Sequence, residues 1–237
     1  MSELNTIALK ILSDGKGILA ADESTATMTK RLDSVNVPST PENRLSFRET
    51  LLSSSGMKTS IGGVILYDET IYQKSSDGNT IPELILSANS VPGIKVDTGA
   101  KILAGSPSEK ITEGLDGLRE RLKKYYTLGA RFTKWRGVYN INNEHPSKLA
   151  VHSNAHALAR YAALVQESNM VPIVEPELLM DGNHSAEDCF KKTSEVIKKC
   201  FEELILQKST QVNYLFIQTH MLLQDTRPWF KNVEWYQ

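Results

Sequence analysis

The sequence predicts a parallel α/β fold made of repeated βα units, and three observations support it. Five short apolar runs are bounded by turn residues: Gly17–Ser24, Ile61–Asp68, Pro92–Asp97, Arg131–Tyr139 and Val171–Leu178. Their starts lie 44, 31, 39 and 40 residues apart, which leaves room after each for a helix and its loops. Amphipathic stretches with helix-start and helix-stop signals fill the gaps.

Taken in order, the first run reads GILAADES, an apolar strand that ends in charge. Thr40-Pro41-Glu42 then supplies an N-cap before a proline at the first helical position, with Leu45, Leu51 and Leu52 as the expected core-facing stripe. The second and third runs, IGGVILYD and PGIKVD, have the continuous apolar character of strands buried on both faces. Asp116–Leu128 carries Leu118, Leu122, Tyr125 and Tyr126 at three-to-four spacing and stops at Gly129, a residue suited to a helix C′ position. The fourth run, RFTKWRGVY, leads to a helix over Ser147–Glu167 with Leu149, Leu158, Tyr161, Ala162 and Val165 facing inward. The fifth, VPIVEPEL, leads to a helix over Ser185–Gln207 that starts with a capping-box pattern and presents Phe190, Ile197, Phe201 and Leu204. The spacing places a sixth strand near residue 211, where Val212–Leu223 is apolar.

Composition narrows the function. Apolar residues make up 40% of the chain, enough for a substantial core. Twenty-seven basic residues against 28 acidic ones give a net charge of −1, so no basic field favours nucleic acid as a partner. Cys189 and Cys200 fit neither a disulfide framework nor a metal-ligand spacing, and both are expected to be reduced and structural. Met1–Lys10 lacks the layout of a signal peptide, and no apolar run approaches the roughly 20 residues of a membrane span. A cytoplasmic protein without membrane contact is therefore expected.

The chemistry is expected where charges interrupt the buried runs. Asp22 closes the first strand; by the two-residue period, Lys95 and Asp97 share one face, Lys134 and Arg136 another, and Glu175 and Glu177 a third. An unpaired buried charge costs several kcal/mol, so charges at neighbouring strand ends either pair with one another or bind something polar. In parallel α/β folds the carboxyl ends of the strands form the ligand site. The expected site is a polar pocket of two lysines, an arginine and two or three carboxylates. Lysines crowded together there are expected to have a depressed pKa suited to proton transfer or carbonyl chemistry.

The segments KGILAADEST (16–25), KRL (30–32), IGGVILYDETIYQ (61–73), GIKVD (93–97), GLDGLRERL (114–122), FTKWR (132–136) and VPIVEPELLMDGNH (171–184) resemble, in order and spacing, class I fructose-bisphosphate aldolase. The resemblance covers about residues 5 to 207. It implies the (β/α)8 TIM-barrel family, here incomplete with about six of eight βα units. It also implies a homotetramer and metal-free, cofactor-free cleavage of fructose 1,6-bisphosphate through a lysine Schiff base. Carried over residue by residue, it makes Asp22, Lys134 and Glu175 catalytic. Asp22 assists proton transfer, Lys134 handles the C2 hydroxyl and carbinolamine steps, and Glu175 is the general acid/base. It makes Arg31, Lys95 and Arg136 the cations that receive phosphate.

One part of the pattern departs from the family. The Schiff-base lysine of the resembled motif belongs near Met221–Pro228, which contains none, and after position 207 lysine occurs only at 208 and 231. The resemblance thus implies an aldolase-like partial TIM barrel over 1–207 and a divergent tail over 208–237, a truncated or replaced end that contains the sixth strand in replaced form. Lys134, next to Lys95 and Arg136, is then the candidate substitute amine, with those cations expected to lower its pKa. The alternative is a non-catalytic aldolase-derived protein that binds sugar phosphates or pairs with intact subunits.

Overall fold

The computed structural model describes residues 2–209 and 215–216. The chain opens with a helix, α1 (Glu3–Leu12), and a 3-10 turn before strand β1 (Gly17–Ala21). Helices α2 (Thr25–Asp33), α3 (Pro41–Leu52) and the short α4 (Gly56–Ser60) lead to β2 (Ile61–Leu66); α5 (Asp68–Ile71) and α6 (Ile81–Ser87) lead to β3 (Val91–Lys95). A hairpin, β4 (Gly99–Leu103) with β5 (Ser106–Glu113), intervenes before α7 (Leu118–Thr127) and β6 (Phe132–Tyr139). The last described units are α8 (Lys148–Glu167), β7 (Val171–Leu178), α9 (Ala186–Leu206) and a two-residue strand β8 (Leu215–Phe216).

Six strands form one parallel sheet in the order β1-β2-β3-β6-β7-β8, so each βα unit places its strand beside the previous one. This is a partial (β/α)8 barrel, as the sequence predicts. Of the expected sixth strand, Leu215 and Phe216 pair with Ile173 and Val174 of β7. The rest of Val212–Leu223, and nearly all of the expected 208–237 tail, lie outside the described residues.

Alternation along the strands divides the core in two. On the helix-facing side, Val64, Leu66, Ile94, Trp135 and Val174 join Leu118, Leu122, Leu158 and Tyr161 in the main cluster. On the other side, Ile65, Val91, Phe132, Val171 and Ile173 form a second cluster, against which Ile11 and Ile7 of α1 pack. The chain comes so close there that a Cβ at Gly62 would lie 1.8 Å from the Ile11 carbonyl oxygen, and one at Gly93 would lie 2.3 Å from the Phe132 ring. Two more steps along the same strand faces, apolar residues give way to charge: Phe132 is followed by Lys134 and Arg136, and Ile173 by Glu175 and Glu177. One end of the inner face is plugged by α1; the other, the carboxyl end, is polar.

Helix starts follow the sequence signals. Thr40, Ser147 and Ser185 accept from the backbone N–H three residues on, and Ser185 forms a reciprocal box with Asp188. Three expected inward positions are corrected. Leu51 is 39% exposed, Leu149 47% and Phe190 38%. Leu52 and Leu204 are buried as expected, while the rest of the inner face of α3 carries Arg44 and Arg48 and that of α9 carries Thr193, Val196 and Cys200. Both cysteines are free, and burial pushes the Cys200 thiol well above its ordinary pKa. Among the described residues, no helix is long and apolar enough to cross a membrane.

Candidate active site

The parallel register sets the site. Lys95 stands opposite Lys134 across β3 and β6, and Arg136 opposite Glu175 across β6 and β7. Asp22 follows β1 directly. Lys134 is the centre: its Nζ donates to Asp22 Oδ2 at 3.1 Å and lies 3.3 Å from Glu175 Oε2, an ion-pair distance without a well-directed hydrogen bond. The three side chains are only 12%, 11% and 6% exposed. Asp22, Lys134 and Glu175, from three strands, are therefore brought together.

Burial by itself lowers the pKa of Lys134, but the two carboxylates outweigh it and hold the ammonium above the ordinary lysine value. This corrects the expectation that neighbouring cations free the amine. Lys95 does not face Lys134 as a bare charge, because its Nζ is bound by Asp97 of its own segment, through both the carboxylate and, at 3.2 Å, the carbonyl. Glu175 moves the other way from most carboxylates: burial raises its pKa, and Lys134 only partly opposes that. A carboxyl group with a raised pKa, next to an ammonium, can give and take a proton closer to neutrality.

Each remaining cation is also paired. Arg136 binds Glu177 through Nε, and its backbone N–H lies 3.4 Å from Asp97 Oδ2. Arg31, on α2 and 54% exposed, binds Glu23. Arg31, Lys95, Lys134 and Arg136 thus stand in separate ion pairs rather than in an open cationic cluster, and an incoming phosphate has to compete with carboxylates for each one. Among the described contacts, none joins Arg31 to Lys134.

Arg48 was not singled out by the sequence. Its side chain is 0% exposed, and it donates to the Ala21 carbonyl at 3.1 Å, the Glu23 carbonyl at 2.6 Å and Thr70 Oγ1 at 2.9 Å. Ala21 and Glu23 flank Asp22, so this guanidinium ties down the backbone on both sides of the carboxylate. The available signal was an arginine at the inner spacing of α3, four residues from Leu52. The hairpin is held against this end by Thr112, which donates to the Arg136 carbonyl at 2.7 Å, and by Asn154 of α8.

Comparison with known proteins identifies the family and the fold. The family described as glycolytic, "Fructose-bisphosphate aldolase class-I", matches residues 3–225. A probable fructose-bisphosphate aldolase class 1 of Xanthomonas campestris is 50% identical over 207 residues, 87% of this chain and 62% of that protein. The cytosolic fructose-bisphosphate aldolase 6 of Arabidopsis thaliana is 52% identical over 202 residues, 85% of this chain and 56% of that protein. The aldolase of Plasmodium falciparum, solved in complex with TRAP and a small-molecule inhibitor, superposes with a TM-score of 0.89 at 44% identity, covering 91% of this chain and 63% of that one. The chain belongs to the class I fructose-bisphosphate aldolase family. It spans 56–62% of the length of these two curated relatives.

Proposed function

We propose that this chain provides the sugar-phosphate pocket and the acid–base part of the reversible cleavage of fructose 1,6-bisphosphate into dihydroxyacetone phosphate and glyceraldehyde 3-phosphate, a lyase step of glycolysis in the cytoplasm. The observation that carries the reading is Lys134 held between Asp22 and Glu175 at the carboxyl end of the sheet. Glu175 is the proton donor and acceptor for the C2 oxygen, Lys134 steadies that oxygen as it changes charge, and Asp22 orients Lys134. Arg31, Lys95 and Arg136 receive phosphate by exchanging their present carboxylate partners for phosphate oxygens. The body of residues 1–207 carries all six positions, and assembly into a homotetramer follows the family.

Carbon–carbon cleavage also needs an unprotonated amine to form the imine. Lys134, stabilised as an ammonium, is poorly suited to that, and residues 209–230 contain no lysine. These two observations favour the second reading for the isolated chain, a protein that binds sugar phosphates without cleaving them. Because every cation starts paired, the expected affinity for fructose 1,6-bisphosphate is weak, ~1 mM, a few charge-assisted contacts set against the cost of association. Titration followed by amide chemical shifts should show saturable changes at Asp22, Lys134 and Glu175. No change up to about 10 mM, an order of magnitude above that affinity, refutes the pocket.

A further inference from the structure

A second cluster of reactive groups lies outside the sugar-phosphate site, where the hairpin meets the loop before α8. Ser108 of β5 is exposed, and its Oγ lies 2.9 Å from His145 Nε2. On the far side of the ring, His145 Nδ1 is buried, without a directed hydrogen bond, 3.5 Å from Glu109 Oε1. Glu109 is itself buried and fixed by three donors: the Ser147 N–H at 2.8 Å, the Ser147 hydroxyl, and the Ser106 hydroxyl at 2.8 Å. The histidine is held in place as well, because its backbone N–H donates to Asn142 Oδ1 at 2.9 Å, while Asn140 Nδ2 donates to the Ser108 carbonyl at 3.3 Å.

We propose that Ser108 is a nucleophilic serine, activated by His145 and Glu109, that accepts an acyl group from activated esters. Burial alone would raise the Glu109 pKa, but the Ser147 and Ser106 hydrogen bonds outweigh it, and the carboxylate stays ionised. An anion beside Nδ1 favours the proton on that nitrogen and leaves Nε2 as the acceptor facing Ser108. The geometry has the nucleophile–base–orienter order of acyl-transfer sites, with the orienting contact longer than in a loaded enzyme, as is common without substrate. The substrate class is one with a good leaving group, such as an aryl ester, thioester or acyl phosphate, whose departure asks least of an oxyanion donor, and not an amide. In the step, the Ser108 hydroxyl proton passes to Nε2 while Oγ bonds to the acyl carbon. The carbon–leaving-group bond then breaks, and the leaving group takes the proton from Nε2, giving O-acyl-Ser108 and the free leaving-group acid. None of these residues takes part in the sugar-phosphate reading, and the proposal stands or falls without it.

The test uses the full chain with p-nitrophenyl acetate, followed by peptide mass mapping and release of nitrophenolate. One acetyl group on Ser108 is expected. The rate should fall roughly 100-fold in His145→Gln, the scale of a lost general base, and should vanish at this site in Ser108→Ala. Acetylation confined to lysines overturns the proposal, as does a rate at Ser108 that is the same in His145→Gln. If His145→Gln does not fold by circular dichroism, the unmodified chain in D2O decides: proton transfer to His145 in the step slows acetylation of Ser108, and a rate unchanged from that in H2O overturns the proposal.

Discussion

Two buried cations at the same end of the sheet are held in opposite ways. Arg48 spends its guanidinium on neutral acceptors, two carbonyls and a hydroxyl, and the nearest carboxylate oxygens, on Glu69 and Glu23, lie only at 3.9 and 4.0 Å. Lys134 has an ionic pair of partners, one hydrogen-bonded and one in looser contact. Burial lowers the pKa of Arg48, whereas the carboxylates raise that of Lys134 against burial. Arginine remains a cation either way, since its unperturbed pKa is above about 12. It can therefore act as a fixed brace, while a lysine set between carboxylates can exchange a proton with them. The difference separates what holds Asp22 in place from what works beside it.

The largest effect is expected from breaking the brace. Arg48→Met leaves the Ala21 and Glu23 carbonyls and Thr70 Oγ1 without their donor, and removing one side of a buried polar network costs about 3–5 kcal/mol. For a chain of this size that corresponds to a fall in Tm of roughly 10 °C, read by circular dichroism. A fall of less than about 2 °C, within the usual range for an uncoupled surface change, would show that the backbone around Asp22 does not depend on Arg48.

A smaller, pH-dependent effect should follow at Lys134. Its folded pKa is raised, so its contribution to stability is complete below the ordinary value of 10.5 and is lost as pH rises through the higher folded value. The unmodified chain should lose Tm above pH 10.5 by an increment that Lys134→Met does not show. Glu175 has the same sign at the acid end: its raised pKa favours the fold below the ordinary carboxylate value of 4.5 and costs stability as pH rises through the folded value. Without the ammonium that cost grows, so Lys134→Met should be most destabilised near pH 7 and approach the unmodified chain toward pH 4.5. Melting curves that run parallel from pH 4 to 11, the interval covering both titrations, would mean that the triad is not coupled.

The parts of this site that the sequence announced are the ones on strands. VPIVEPEL is a buried run from end to end, so two glutamates inside it stand out, and the same reasoning exposes Lys134, Arg136, Lys95 and Asp22. Which charge faces which could not be read, because it depends on strand stagger: Lys95 turned to Asp97 on its own segment, and Arg136 to Glu177 rather than to its register partner Glu175. Arg48 was hidden because it comes from a helix, where an arginine ordinarily points to solvent. The hairpin over residues 99–113 escaped for a related reason: its strands are mostly exposed and polar, and long-range contacts to Asn154 and the Arg136 carbonyl anchor it. Leu149 and Phe190 sit near the starts of α8 and α9, where the first buried positions are Ala150 and Thr193 instead.

The central claim is that the site keeps its acid–base chemistry and holds Lys134 as an ammonium that does not form an imine. Incubating the chain with dihydroxyacetone phosphate and sodium borohydride near pH 7, then weighing the intact protein and its peptides, tests this directly. The account predicts no reduced adduct on any lysine, under conditions where amide shifts still report binding of the sugar phosphate. A stoichiometric adduct on Lys134 would contradict it, since the account has Asp22 and Glu175 favouring the ammonium, which is not a nucleophile.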